Sequence, residues 1–502
     1  MNRVRFLFTK SLRVHLSPGR NSLGKIPRRS IRTLRHTGAM SSPPPIPSPR
    51  TYEAGTLRYT LGGLAVLFGW LLWGDFAFCF FENIFGRFIP LYLREYQAPN
   101  AMIGIMMGSI AGAMNLLFLP GISRWSDECR SRWGRRIPFL TVATPLAVAS
   151  LILMGFAPEI GTALYHHVVH PLWPGVEQAT VVLGLLGLFV AAFHYFNMVL
   201  VNVYNWLIRD VVPPELIGRF LSWFGIVSLG SAALFNWYVF PYLLTHRREI
   251  CLSIGLFYLV VFLLMCRKVK EGEYPAPPER KASGHPLKTY FVEYGHYLRT
   301  CLSVPIYRDA LISHMLVSVA VCAGPFYVIF QHETLGVSME VLGKLFSIFG
   351  VLSAALYAPS GWIIDRLSPF RVALATGPAL LLVGLSAFLF NVDQRTLIFF
   401  MAIGTMVAVP ATLASQTITM KLYPEGKFAQ FYAAQNLLGF GIAIAGNYYI
   451  GRYLDLFHSN YRMVYLWSGF WSLLSYLMFL KVYRAWRRLG GPEGYVAPAT
   501  PE

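Results

Sequence analysis

The chain has 502 residues, 55% of them hydrophobic and only 13% charged, a balance that excludes an ordinary soluble domain and fits a bilayer protein. Its net charge of +19 would suit a nucleic-acid partner. However, 35 of the 43 Lys and Arg fall in alternate polar segments, an asymmetry that reports membrane topology and anionic headgroups and leaves no need for nucleic acid.

In chain order, residues 1–58 read as a basic, disordered tail, with no acid before Glu53. Twelve apolar segments long enough to cross about 30 Å of hydrocarbon follow. They lie near 61–92, 100–122, 138–157, 179–209, 219–243, 249–266, 308–332, 339–364, 370–390, 395–421, 427–450 and 461–485. The fold expected is therefore all-α and integral to the membrane. Two six-helix bundles, 59–266 and 308–486, are separated by a linker at 267–307 and followed by a short tail at 487–502. Both termini are expected on the cytoplasmic side of the inner or plasma membrane, since the basic segments then all face inward. The six cysteines fall mostly in spans or inward segments, so no disulfide framework is implied.

Ionisable residues inside a span are costly, which makes each one a functional candidate. In span 1, "LLWGDFAFCFFENIFGRF", Asp75 and Glu82 are seven residues apart and share one face to within about 20°. Both are candidates for a solute and cation site, and a carboxylate in a low-dielectric cavity can exchange a proton. The structural alternative pairs Glu82 with Arg87. Span 2 carries Gly104, Gly108 and Gly112, a ridge suited to close helix packing. The loop after it, "SRWSDECRSRWGRRIPFL", sets five arginines and two acids between apolar runs. The "YHHVVH" at 165–170 has histidines at metal spacing without carboxylate or thiolate company.

Span 4 places His194, Asn197, Asn202, Asn205 and Arg209 on a stripe within about 140°. The amides can serve sugar hydroxyls, and Arg209 can pair with Asp210 or another acid. The linker carries Leu287, Tyr290, Phe291, Tyr294, Leu298 and Cys301 at helical spacing, an interfacial amphipathic helix. In span 10, Thr405, Thr412, Ser415, Gln416 and Thr419 cover about 100° of arc, which suits a wet face. The halves look like copies: Gly104 precedes Pro120 by the same interval as Gly343 precedes Pro359, and Gly218-Arg219-Phe220 is echoed by Gly426-Lys427-Phe428. No P-loop, GxSxG, HExxH or dinucleotide pattern occurs, so no enzyme chemistry is expected.

The loop at 123–140 resembles the one between spans 2 and 3 of the major facilitator superfamily, GxxxD[RK]xGRR. "SDECRSRWGRRIPFL" is closer still to the glycoside-pentoside-hexuronide cation symporters and plant-type sucrose transporters. The second copy, "GWIIDR", supplies Gly361, Asp365 and Arg366. The resemblance implies the twelve-helix major facilitator fold and gating roles for Asp127, Arg130, Arg132, Gly134, Arg135 and Arg136, with the inner face latched by charge pairs. Ser123 stands where that family has glycine. The "GDF" at Asp75 is similar to the first span of sugar symporters, where an acid contributes to the sugar and cation site. Melibiose-type members carry paired aspartates on span 2, but no acid lies between Glu95 and Asp127 here, which favours a proton over sodium as the coupling ion.

The sequence thus reads as a secondary active transporter of a small polar solute, a sugar or glycoside moved with a proton by alternating access. It is expected to work as a monomer, without a cofactor or bound metal. The alternatives are an exporter of amphipathic compounds and a transporter-like receptor without turnover.

Overall fold

A computed structural model describes residues 51–275, 295, 298–424 and 427–499. The tail to residue 50, most of the expected linker helix from Leu287 to Cys301 and the echo at Gly426 lie outside the described residues; the last turn of that linker segment, from Leu298, is helical. Where the tail was expected to remain disordered to residue 58, the chain instead forms a hairpin. Strand β1 (Tyr52–Ala54) pairs antiparallel with β2 (Leu57–Tyr59), turning through Gly55 at φ +58°.

Among the described residues, eleven helices are long and apolar enough to cross a membrane. In chain order these are α1 (Leu61–Glu95), α2 (Asn100–Glu128), α3 (Ile137–Gly155), α4 (Gln178–Val211), α5 (Pro214–Tyr242), α6 (Arg247–Lys268), α7 (Pro305–Thr334), α8 (Met339–Leu367), α9 (Pro369–Phe390) and α10 (Gln394–Leu422), with α12 (Tyr461–Arg488) the last. Between α10 and α12 runs α11 (Phe428–Leu456), 29 residues long, which completes a set of twelve. Caps define several starts: the Thr60 and Ser338 hydroxyls accept from Gly63 and Val341 amides, and Asp393 forms a reciprocal capping box with Thr396. The expected loop after α3 is partly helical, Ala157–Leu164 running into a π-turn at Tyr165–Val169. The histidines there pack locally, Tyr165 lying edge-on to His166 and His170.

The helices pack as two sets. In the first, α3 lies on α4 and α6, and α1 on α5 and α6; in the second, α7 lies on α11 and α12, α9 on α10 and α12, and α8 on α10. Across the sets, α2 meets α11, α5 meets α8, and α1 meets α7. These crossings are close because glycine permits them. A Cβ on Gly104 or Gly108 would collide with Asn447 of α11, and one on Gly343 with the Asn236 carbonyl of α5. The tail after α12 folds back: Tyr495 Oη donates to the Leu422 carbonyl at 2.9 Å, and Tyr307 Oη to that of Pro498 at 2.9 Å.

Polar contacts between the sets gather at the end opposite the basic loops. Arg94 reaches Glu333 at 3.2 Å. The Asp455 carboxylate of α11 accepts from the Asn100 and Ala101 amides at 3.0 and 3.3 Å, capping α2 from the other half. Asn100 also bonds Ser459 and receives the Tyr461 hydroxyl.

Candidate functional site

Asp75 lies midway along α1 and is 2% exposed. Its Oδ2 accepts from Ser228 Oγ of α5 at 2.6 Å, and Cys79 Sγ faces Oδ1 at 3.9 Å. Its backbone neighbour Gly74 backs onto Met265 of α6 and Tyr204 of α4, whose hydroxyl donates to the Leu71 carbonyl at 2.5 Å. Two turns on, Glu82 is exposed and takes a long bond of 3.5 Å from Asn197 Nδ2. Asn197 Oδ1 is buried with no partner, a vacant acceptor beside a carboxylate. The alternative pair does not form: the Arg87 guanidinium lies 4.0 Å over the Phe346 ring of α8 instead.

The rest of the expected stripe separates. His194 is buried, its Nε2 2.8 Å from the Met106 carbonyl and its ring edge-on to Phe85, so it ties α4 to α2. Asn202 and Asn205 donate to the carbonyls four residues back, Met198 and Val201, at 2.8 Å each. Arg209 is exposed without an ion pair among the described residues. In the second half, Thr412 lines a groove of about 390 Å³ with Ser353, Tyr357 and Thr405, its hydroxyl bonded to the Ala408 carbonyl. Gln416 is exposed and makes no bond among the described residues.

The charged loop builds a compact brace. Arg136, with a 6% exposed side chain, donates to Asp127 at 2.5 Å, to Asp210 at 3.1 Å and to Ser126 Oγ at 2.7 Å. Arg135 forks onto Asp210 at 2.8 and 3.1 Å and lies 4.1 Å over the Tyr274 ring. Asp210 therefore takes Arg135 and Arg136 and leaves Arg209 aside, so of the partners open to Arg209, Asp210 is not the one used. A planar donor aimed inward from the loop reaches a carboxylate that the adjacent side chain on the same helix does not.

The start of α3 has a second anchor. Glu271, after α6, accepts from the backbone amides of Arg135, Arg136 and Ile137 at 2.9, 2.8 and 2.8 Å. Gly134, at φ +107°, closes the Ser131–Gly134 turn, and a Cβ there would meet the Glu271 carboxyl. Tyr274 donates to Glu271 at 3.1 Å, and burial next to that carboxylate pushes its hydroxyl above the usual range. Arg130 reaches the carbonyls of Pro275, Asp127 and Cys129, while Arg132 stacks on Trp133.

These bonds join α2, α3, α4 and the segment after α6 within one half. The second copy lacks such a brace. Arg366 stacks on Trp362 at 3.9 Å, Asp365 has no ion pair among the described residues, and Gly361 faces open space. Where α4 closes with Asp210, α10 closes with Lys421, and Arg366 has no acid partner among the described residues.

The family model for the Major Facilitator Superfamily matches residues 71–447. The chain belongs to this superfamily. Its members are multi-pass membrane transporters of small molecules, and it is not an enzyme family. Sucrose transport protein SUT4 of Oryza sativa subsp. indica is 28% identical over 192 residues, 36% of this chain and 31% of that one. The human proton-associated sugar transporter A is 29% identical over 162 residues, 31% of this chain and 20% of that one. Such matches span about a third or less of those relatives' length. Among solved structures, a bacterial homologue of the iron transporter ferroportin in an inward-facing state has a TM-score of 0.60 at 14% identity, covering 84% of this chain and 99% of that one. A D-xylose–proton symporter has a TM-score of 0.53 at 16% identity, covering 84% and 96%. These structural likenesses speak to fold alone.

Sequence reasoning missed several residues of this transporter. Ser228, Glu271, Asp455 and Asn447 each act on a partner more than 130 positions away. Asp210, at the inner end of span 4, was already in view.

Proposed function

We propose that this transporter carries a sugar or glycoside together with a proton, by alternating access, and that Asp75 is the coupling carboxylate. The observation that supports this reading is the Asp75 carboxylate itself, buried in α1 with one hydroxyl hydrogen bond and no cation among the described residues. An acid in that setting has a neutral form worth populating, so a proton can travel with the solute. Glu82 and the vacant Asn197 oxygen lie on the same side, acceptors to which sugar hydroxyls can donate. The named relatives include sucrose transport proteins and a proton-associated sugar transporter. With the basic loops on the cytoplasmic side, the contacts of Arg94 and Asp455 close the outer end and leave the site to be reached from within. The brace around Asp127, Arg135 and Arg136 then acts on gating by holding α2, α3 and α4 as one moving body.

Uptake of labelled sugars into proteoliposomes under separate proton and sodium gradients tests this. Accumulation driven by the proton gradient, lost in Asp75→Asn while solute exchange persists, is the expected result. Accumulation unaffected by Asp75→Asn would remove that residue from coupling. The absence of gradient-driven uptake for every sugar, together with efflux of amphipathic dyes, would favour the exporter reading.

A further inference from the structure

A pocket of about 860 Å³ opens at the basic end of the first helix set, between the start of α3, the end of α6 and the Ser131–Gly134 turn. Four cations face it, Arg130, Arg132, Arg267 and Lys270, against two carboxylates, Glu271 and Glu273. Glu271 is already occupied by three backbone amides and the Tyr274 hydroxyl. Glu273 is exposed. Arg130 is directed at carbonyl oxygens. Arg132, Arg267 and Lys270 are exposed, and none of them has a hydrogen bond or ion pair among the described residues.

Toward the membrane the wall becomes apolar, formed by Ile137 of α3 with Leu263 and Cys266 of α6. Trp133, 53% exposed, stands at the rim, a residue suited to the depth of the headgroups. Topology alone asks only that positive charge lie on this side of the membrane. It does not require three cations without a hydrogen bond or ion pair among the described residues to converge on one concavity where one of the two acids, Glu271, is taken up by capping. Nor does it require that concavity to continue into an apolar groove between two spanning helices. A polyanion with hydrocarbon attached matches both parts.

We propose that this pocket binds the phosphorylated headgroup of an anionic membrane lipid. The phosphomonoester oxygens lie on Arg132, Arg267 and Lys270, and an acyl chain follows the groove between α3 and α6. This site is independent of the cargo and of the coupling ion. It shares Glu271 with the brace, so an occupied pocket holds the segment after α6 against the start of α3.

The test titrates the purified full-length protein with phosphatidylinositol 4,5-bisphosphate, phosphatidylserine and soluble inositol 1,4,5-trisphosphate, reading bound lipid by native mass spectrometry. The bisphosphate lipid is expected to bind, and Arg267→Gln with Lys270→Gln to weaken it about 30-fold, the loss due to two headgroup-level cations. The control pair Arg487→Gln with Arg488→Gln, the same charge change at the end of α12, should weaken it by less than about threefold. If the first pair proves unstable, Lys270→Glu alone, at an exposed position, should still abolish most of the binding. Equal loss in both pairs would overturn the pocket in favour of diffuse attraction. Phosphatidylserine binding as tightly would overturn the phosphomonoester, the free trisphosphate binding as tightly would overturn the lipid source, and no binding at all would overturn the site.

Discussion

Gly343 packs against the backbone carbonyl of Asn236, and Gly104 packs against that of Asn447 in the same manner. The two glycines occupy equivalent places in the two halves, so one contact is made twice, α8 on α5 and α2 on α11. Backbone against backbone leaves no room for a side chain, and overpacking such a crossing costs about 1–3 kcal/mol. Gly343→Leu or Gly104→Leu is therefore expected to hold the halves apart at the Arg94 end. Spin labels at Thr245 and Thr334 should report a longer distance than in the parent protein, and turnover should fall about tenfold. An unchanged distance distribution would show that the crossing tolerates bulk.

Ser228 supplies the hydroxyl that meets Asp75 at 2.6 Å. A hydrogen bond to an ionised group contributes about 1.5–3 kcal/mol, more than the same bond to a neutral one. Ser228→Ala should cut proton-driven accumulation about tenfold while leaving solute exchange within about twofold, since the cargo face on α4 is untouched. Ser228→Thr keeps the hydroxyl and should restore accumulation. If alanine and threonine behave alike in accumulation assays, the bond has no part in coupling.

The brace separates two aspartates by exposure. Asp210 is 13% exposed and holds both Arg135 and Arg136, whereas Asp127 is 52% exposed. Removing a largely buried acceptor leaves Arg135 and Arg136 only the exposed Asp127 as an acidic partner and costs up to about 3–5 kcal/mol, but an exposed ion pair is worth about 1 kcal/mol or less. Asp210→Asn should therefore lower the melting temperature in detergent well beyond Asp127→Asn. Equal shifts would mean that Asp210 is better hydrated than its burial indicates.

The membrane architecture was legible because hydropathy has a length requirement: α1, α4 and α12 begin and end within three residues of the expected spans. Asp75 was legible too, since a lone acid in a run of Phe and Leu stands out. Its partner was not, because Ser228 is one small hydroxyl among many and meets Asp75 only through the packing of α5 on α1. The loop likeness pointed to Asp127 and Arg136, which do pair. It gave no access to Glu271, whose bond to Arg136 spans 135 positions. The same likeness overreached at Arg366, because a motif copies residues without copying the carboxylate that α4 supplies and α10 lacks.

Glu271 and Gly134 make a further prediction as a pair. Capping three amides at a helix start is worth about 1–2 kcal/mol, so Glu271→Ala should destabilise the protein by that amount. Gly134→Ala faces both a positive φ of +107° and the Glu271 carboxyl, with strain of about 1–3 kcal/mol. If the two act on one contact, the double variant should lose less than the sum of the single losses in thermal unfolding. Strict additivity would mean that the turn and the cap are independent.

Asp455 links the two halves where α11 approaches the first turn of α2. Its oxygens accept from the Asn100 amide, the Asn100 side chain and the Ala101 amide, a full charge placed on a helix N-terminus. Every one of these bonds must break when the two halves separate at this end, yet none belongs to the fold of either half alone. Asp455→Asn keeps the shape and removes the charge, lowering the barrier to opening without unfolding a helix. A cysteine placed at exposed Thr334 should then react faster with a membrane-impermeant thiol reagent, by about five- to thirtyfold for the 1–2 kcal/mol expected of a charged cap. The melting temperature should stay within about 2 °C of the parent, because the opened conformer remains folded. A large fall in melting temperature without faster labelling would make Asp455 a structural cap alone, with no part in the alternation between states.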